Sequence, residues 1–441
     1  MNESLGRLPE EPIDRFTKPF ARFLRIEAAA GAALLSAIFM ALVVSNSPWA
    51  SAFQAFWATP LSLHFGAVDL SGSLKHWIND GLMTLFFFIV ALELKREIVL
   101  GELRNPRVAA LSVAGAMGGM VLPVAFYLSL TGGAGARGWG TVMATDTALV
   151  VGCLAILGNR VPLSLRLFLL SLAIFDDIGA IAVIAIGYGS ALSGWALALA
   201  GLGLGLVVVL ARLGVRSMAV YLLVGGCIWL ALDSSGIHPT LAGVALGLMT
   251  PARVWVTDNR LHAILTRVGA LRPDGQRNGD TAERRDLQRA RVATREALSP
   301  VERLEILLHP WVAFAILPLF ALANAGVPIS PEGVDRSIVA AVFAGLVLGK
   351  PLGVVIAAVL AVRLRLAARP PTLGWGLIAA GSALTGIGFT MAVFIAELAF
   401  DESVLNSAKL GILAASVASA AIGLFALAWL TSGRRSGGPA P

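Results

Sequence analysis

From position 26 to 431 the sequence is a succession of apolar runs, most about 20 residues long, separated by short polar breaks. A run of that length lets an α-helix cross roughly 30 Å of hydrocarbon. In lipid every backbone polar group must be satisfied internally, which leaves only helices and closed barrels. Composition agrees, with 57% hydrophobic and only 14% charged residues against about 25% charged in soluble domains. The chain therefore reads as an all-α integral membrane protein with about twelve transmembrane helices. They are expected at roughly 26–46, 76–98, 106–131, 136–158, 163–187, 192–211, 217–233, 239–256, 305–327, 337–362, 373–397 and 406–431.

Residues 1–25 are polar and mixed in charge, too long for the n-region of a signal peptide, and read as a tail before a transmembrane domain over 26–431. Residues 432–441 form a second tail. Two connections stand out. The stretch 47–75 contains "LSLHFGAVDLSGS", which alternates apolar and polar residues around Gly66, so a small hairpin and an irregular loop are both compatible with it. The stretch 257–304 is rich in Arg, Asp and Glu, has "RPDGQRNGD" at its centre, and reads as a long loop rather than a domain.

A net charge of +7 invites a nucleic-acid reading, yet no basic-aromatic groove or binding motif accompanies it. The charge has a topological explanation. With the N-terminus and alternate connections in the cytoplasm, 29 of the 34 Lys and Arg residues fall on that side. Lys75, Arg137, Arg336 and Lys409 remain on the other, and Lys350 lies within a span. That asymmetry is the positive-inside rule, and it puts both termini in the cytoplasm. Cys153 and Cys227 lack partner spacing for zinc or redox work and read as small buried hydrophobes.

Ionisable groups are expensive inside a bilayer and are functional candidates there by default. Here they are Asp146 in "TVMATDTALVVG", Asp176 and Asp177 in "SLAIFDDIGAIAVIAIGYG", and Lys350 in "GLVLGKPLG". Asp80, Glu305 and Glu397 lie nearer span ends, where water or head groups can solvate them. Asp176 and Asp177 diverge by about 100° on a helix, so they point at different partners. Three carboxyls against one lysine exceed what a structural ion pair requires. Burial and a like-charged neighbour both favour the neutral form of a carboxyl, so protons can compete with a hard cation for the same oxygens. That competition, joined to alternating access, is an antiport mechanism. "ATDTA" and "TGIGFT" interrupt the fourth and eleventh spans, and irregular backbone at that depth is tolerated where it lines a cavity or packs in protein. Spans 3–5 and 10–12 then form two sets of three, inverted by their odd offset.

These motifs, together with "NDGLMTLFFFIVALELKREI", "SGIHPTLAG" and "LHPWVAFAILPLFALANAG", resemble the NhaA family of bacterial sodium/proton antiporters over about 20–430. Inverted repeats and broken helices around a midplane site are features of this family. The resemblance implies a pH-regulated, electrogenic exchanger of Na+ or Li+ for H+ in the inner membrane, with inverted repeats, two discontinuous crossing helices and no cofactor. It makes Asp177 the principal cation ligand and proton carrier, with Asp176 paired to Lys350 in one state. Asp146 beside Thr145 would balance the helix ends at the fourth-span break and Lys350 the opposite ends. Gly386 and Gly388 would form the eleventh-span break. Glu93, Arg96, Glu97, Glu305 and His309 match a cytoplasmic pH-sensing cluster, although Ile306 stands where some members carry a second histidine. The hairpin region at 61–73 would serve a homodimer. His238 reads as a loop histidine beside Pro239.

A sodium-coupled symporter would use similar broken helices with a larger substrate cavity. An intramembrane aspartyl protease is a poorer match: its Gly-x-Gly-Asp signature is absent, and adjacent aspartates have the wrong spacing for a dyad drawn from two helices. The chain reads as a transporter and not an enzyme.

Overall fold

A computed structural model describes residues 27–65, 68–99, 106–132, 135–189, 192–215, 217–269, 281–328 and 334–432. The two tails at 1–25 and 433–441, and "RPDGQRNGD", lie outside the described residues. In chain order the elements begin with α1 (Glu27–Ser45), α2 (Ala50–Trp57), strands β1 (Pro60–Phe65) and β2 (Val68–Ser73), α3 (Leu74–His76), α4 (Met83–Val99) and α5 (Pro106–Thr131). Then come α6 (Thr147–Leu157), α7 (Leu163–Gly187), α8 (Gly194–Arg212), α9 (Met218–Asp233), α10 (Leu241–Met249), α11 (Asp258–Gly269), α12 (Thr281–Glu296) and α13 (Pro300–Trp311). The last are α14 (Leu317–Asn324), α15 (Arg336–Ala344), α16 (Lys350–Arg363), α17 (Trp375–Leu384), α18 (Phe389–Ala399) and α19 (Glu402–Ser432).

Among the described residues, 7 helical stretches are long and apolar enough to cross a membrane, or up to 9 if each of two bent pairs counts as one span. The bent pairs are α1 with α2, at 120°, and α17 with α18, at 51°. Three of the twelve expected spans look different for local reasons. The second carries Glu93, Lys95, Arg96 and Glu97 in its last turns. The seventh has only 16 helical residues and the eighth only 9, the latter about 14 Å of helix against roughly 30 Å of hydrocarbon.

The chain divides into two compact units, the first comprising 1–83, 105–190 and 310–441 and the second 84–104 and 191–309. In the first unit α5 and α16 approach backbone to backbone. A Cβ on Gly353 would lie 2.6 Å from the carbonyl carbon of Gly118, so only glycine fits that contact; small residues permit such close helix packing in membranes. Lys350 opens α16 immediately after a π-helical turn, Gly345–Gly349. Such turns re-aim the side chains that follow them and are frequent at functional sites.

The alternation in 61–73 resolves as a hairpin, with β1 and β2 antiparallel and Leu63 paired with Leu70. Its base is tied by Leu74 N donating to Thr59 O at 3.0 Å and by Ser73 Oγ accepting from His76 N at 3.1 Å.

In the second unit α8, α9 and α10 share an apolar cluster that includes Ala200, Val207, Ile228 and Ala242. The loop expected over 257–304 contains two polar helices, α11 and α12, joined by Arg267 Nε donating to Asp286 Oδ2 at 3.1 Å. Its polar composition obscures the pattern: Leu261, Ile264 and Val268 recur at helical spacing on α11, and Ala290 and Ala293 are buried on α12. The two cysteines also depart from expectation. Cys153 is half-buried and Cys227 exposed, because α9 is apolar around its circumference and an apolar helix in lipid need not hide a small apolar side chain.

Candidate cation site

Three side chains singled out by the sequence meet in the first unit, Thr145, Asp176 and Lys350, and these three and Asp146, next to Thr145 in the chain, are all buried. Asp177, the next residue on α7, is buried as well. Asp176 Oδ2 accepts from Thr145 Oγ1 at 2.6 Å and lies 3.1 Å from Lys350 Nζ. Asp176 Oδ1 is buried and has no hydrogen-bond partner among the described residues. Lys350 also donates to the backbone oxygen of Met143, and its ammonium lies within electrostatic reach of Asp177.

Thr145 and Asp146 sit in an interruption of the helical backbone, whereas α7 runs unbroken through Asp176 and Asp177. The stretch expected as the fourth span is a short 3-10 helix, Ala136–Val142, followed by α6, with 143–146 non-helical between them. Between α17 and α18 the break covers Thr385–Gly388. The breaks are bonded to each other, Asp146 N donating to Ile387 O at 2.6 Å. A Cβ on Gly388 would lie 2.9 Å from Ala144 O, and one on Gly386 would run into Leu346 O and Ser419 Oγ. Both glycines permit the approach.

Helix ends leave backbone N–H and C=O groups without helical partners, with partial positive charge at the N-terminus and negative at the C-terminus. Here the ends are matched by sign. Asp146 is the N-cap of α6, its Oδ1 accepting from Leu149 N at 3.1 Å. Its Oδ2 accepts from Thr390 N at 3.0 Å and Thr390 Oγ1 at 2.7 Å, in the first turn of α18. One carboxylate thus caps two helix N-termini. The carbonyl end at Met143 meets a donor instead, the Lys350 ammonium, while Thr385 O lies 3.1 Å from Thr145 Oγ1, whose single proton it shares with the closer Asp176 Oδ2. Carboxylate, hydroxyl and carbonyl oxygens suit a hard cation. Among the described residues no three or more His, Cys, Asp or Glu side chains converge as a metal centre.

The residues expected to sense pH lie in the second unit. Arg96 Nη1 is 2.8 Å from Glu305 Oε1, and Glu93 and Glu97 are within electrostatic reach of that same Glu305. His309 sits one turn beyond Glu305 on α13 and is exposed, as is Ile306. Asp80 belongs to the π-helical turn Trp77–Leu82, 3.4 Å from His76. His238 Nδ1 is 2.7 Å from Thr240 Oγ1, within its own turn.

Sequence reasoning missed Thr390 as a partner of Asp146, although a Thr two residues past a Gly-x-Gly break is placed to meet a cap. It also missed two groupings of the first unit: Asn79 with the buried Asn324, 2.7 Å apart, and Glu397 bridging Lys75 and Lys409. Glu397 reads in the sequence as a solvated acid near a span end and Lys409 only as one of the basic residues on the outer side, which conceals their pairing.

The profile of the family described as Na+/H+ antiporter 1 matches residues 21–427. A Rhizobium meliloti (strain 1021) protein named Na(+)/H(+) antiporter NhaA is 62% identical over 436 residues, covering 99% of this chain and 100% of that protein. Na(+)/H(+) antiporter NhaA 3 of Acidiphilium cryptum (strain JF-5) is 56% identical, over 99% of this chain and 98% of its own. Na(+)/H(+) antiporter NhaA 2 of Vibrio vulnificus (strain CMCP6) is 51% identical, over 97% and 96%. The family match spans nearly the whole described chain, and the chain belongs to the Na+/H+ antiporter 1 family.

Proposed function

We propose that this chain exports Na+, and Li+ in its place, in exchange for protons by alternating access across the bacterial inner membrane, with both termini cytoplasmic. The observation that carries the reading is Asp176, buried beside Asp177 and held between Thr145 Oγ1 and Lys350 Nζ. Asp177 is the principal cation ligand and proton carrier. Asp176 trades its pairing with Lys350 for a share of the cation, and Thr145 adds a hydroxyl oxygen. Asp146 stays charged as the common cap of two helix ends, while Lys350 offsets the carbonyl end at Met143.

In this reading two protons leave for each sodium that binds, one from Asp177 and one released as the Asp176–Lys350 pair rearranges, so exchange moves net charge. The architecture is twelve spans, with 3–5 and 10–12 as inverted repeats whose broken members cross at the site. Glu93, Arg96, Glu97, Glu305 and His309 set the pH range, and the β1–β2 hairpin joins two copies as a homodimer. The names of the relatives support the substrate pair. Sodium-induced pH change inside proteoliposomes holding the purified protein tests it; absence of any sodium-dependent proton movement across the pH range would reject it. A sodium-coupled symporter would instead need an organic co-substrate for the same flux.

A further inference from the structure

Helix α18 is shielded along nearly its whole length, with Phe389 through Ala396 all buried. A helix that is apolar all round has no single face that packing must turn inward. Its rotation and axial position therefore depend on polar anchors, and it has one at each end. At the N-terminal end Thr390 donates to Asp146 through its amide and its hydroxyl. At the C-terminal end Glu397 Oε1 lies 2.7 Å from Lys75 Nζ and 2.5 Å from Lys409 Nζ. Thr390 and Glu397 are seven residues apart, so they share one face and lie about 10 Å apart along the axis.

The three partners come from separate elements. Lys75 is in α3, between the hairpin and the Trp77–Leu82 turn, and Lys409 is in α19. Lys409 is 4% exposed. A glutamate in the last turn stands at the negative end of its helix, where an acid is disfavoured and a lysine favoured; the two lysines reverse that. Buried ion pairs add little stability over apolar packing, and their best attested use is to fix register.

We propose that Glu397 is a positioning residue for the cation site. Clamped by Lys75 and Lys409, it fixes the rotation and axial position of α18 and so holds Thr390 on Asp146. The functional consequence rests on the antiport reading; the geometric claim does not.

Hydrogen exchange of the full-length protein, read by mass spectrometry, tests the geometry without transport. The Thr390 amide lies in the first turn of α18, where Asp146 and not a helical carbonyl is its acceptor. Glu397→Gln should speed exchange of the first α18 amides at least about tenfold. Lys75→Met, which keeps the buried Glu397–Lys409 pair and so protects folding, should speed it by a smaller factor. In proteoliposomes Glu397→Gln should raise the half-saturating sodium concentration about tenfold, with a smaller change in maximal rate. Adding Thr390→Val to that variant should change little more, because the two act through one contact. Unchanged α18 exchange in both single variants overturns the clamp, as do additive effects of Glu397→Gln and Thr390→Val on sodium dependence. A wild-type protein that moves no protons for sodium overturns the antiport reading instead, and hydrogen exchange still decides the clamp.

Discussion

Lys350 Nζ lies 3.1 Å from Asp176 Oδ2, and neither side chain is exposed. Removing one partner of such a pair leaves an uncompensated buried charge and costs about 3–5 kcal/mol, whereas removing both can be nearly neutral. Lys350→Ala should therefore lower the thermal unfolding midpoint in detergent more than the double variant Lys350→Ala, Asp176→Asn does. Equal losses in the single and double variants would show that the pair is not coupled.

Asp177→Asn keeps the shape of the side chain and removes its charge. It should abolish sodium-driven proton flux while membrane insertion and the unfolding midpoint stay near those of wild type. Flux close to the wild-type rate would move the principal ligand elsewhere.

Asp146 caps two helices at once, so its loss strands at least the amides of Leu149 and Thr390. Each buried donor left without a partner costs about 1–3 kcal/mol. Asp146→Ala should lower the unfolding midpoint and stop exchange, and Asp146→Asn, which can still accept one of these bonds, should be intermediate in stability. The cap assignment fails if the alanine variant is as stable as wild type.

The reach and the limits of the sequence can be traced through this site. Asp146, Asp176, Asp177 and Lys350 were legible because a charge inside an apolar run of about 20 residues is conspicuous. The breaks were legible from Gly386 and Gly388 and from the threonines flanking Asp146. What joins them was not: Met143 contributes a backbone oxygen, which carries no residue-type signal. Thr390 becomes a partner only once the two breaks touch, a contact between residues 244 positions apart. Helices α11 and α12 were hidden for a different reason. They carry buried alanines and a few aliphatic residues among many charges, too little apolar surface to form a run of membrane-span length.

Glu93, Arg96 and Glu97 lie in the second half of α4 and His309 is exposed on α13, and histidine changes charge between about pH 5 and 8. Charge-neutral substitutions there should move the activity profile along the pH axis with the maximal rate largely kept. Flux lost at every pH in normally inserted variants would assign these groups to the chemistry itself.

Electrogenic exchange has its own signature. Sodium uptake into proteoliposomes clamped with potassium and valinomycin, at equal pH on both sides, should follow the imposed potential. Rate and endpoint indifferent to potential would mean that one proton is exchanged per sodium. Surviving voltage dependence in Lys350→Ala would make the lysine structural, without a transported proton.

In the proposed exchange, protons and sodium compete for the carboxyls of Asp176 and Asp177. Proton release on sodium addition, measured in a weakly buffered detergent solution of the purified protein, tests that competition without a membrane or a gradient. The wild-type protein should acidify the solution on addition of NaCl and not of choline chloride, and a variant with Asp176→Asn and Asp177→Asn should not. A wild-type protein that binds sodium without releasing protons, or a double variant that releases as many as wild type, would contradict the account.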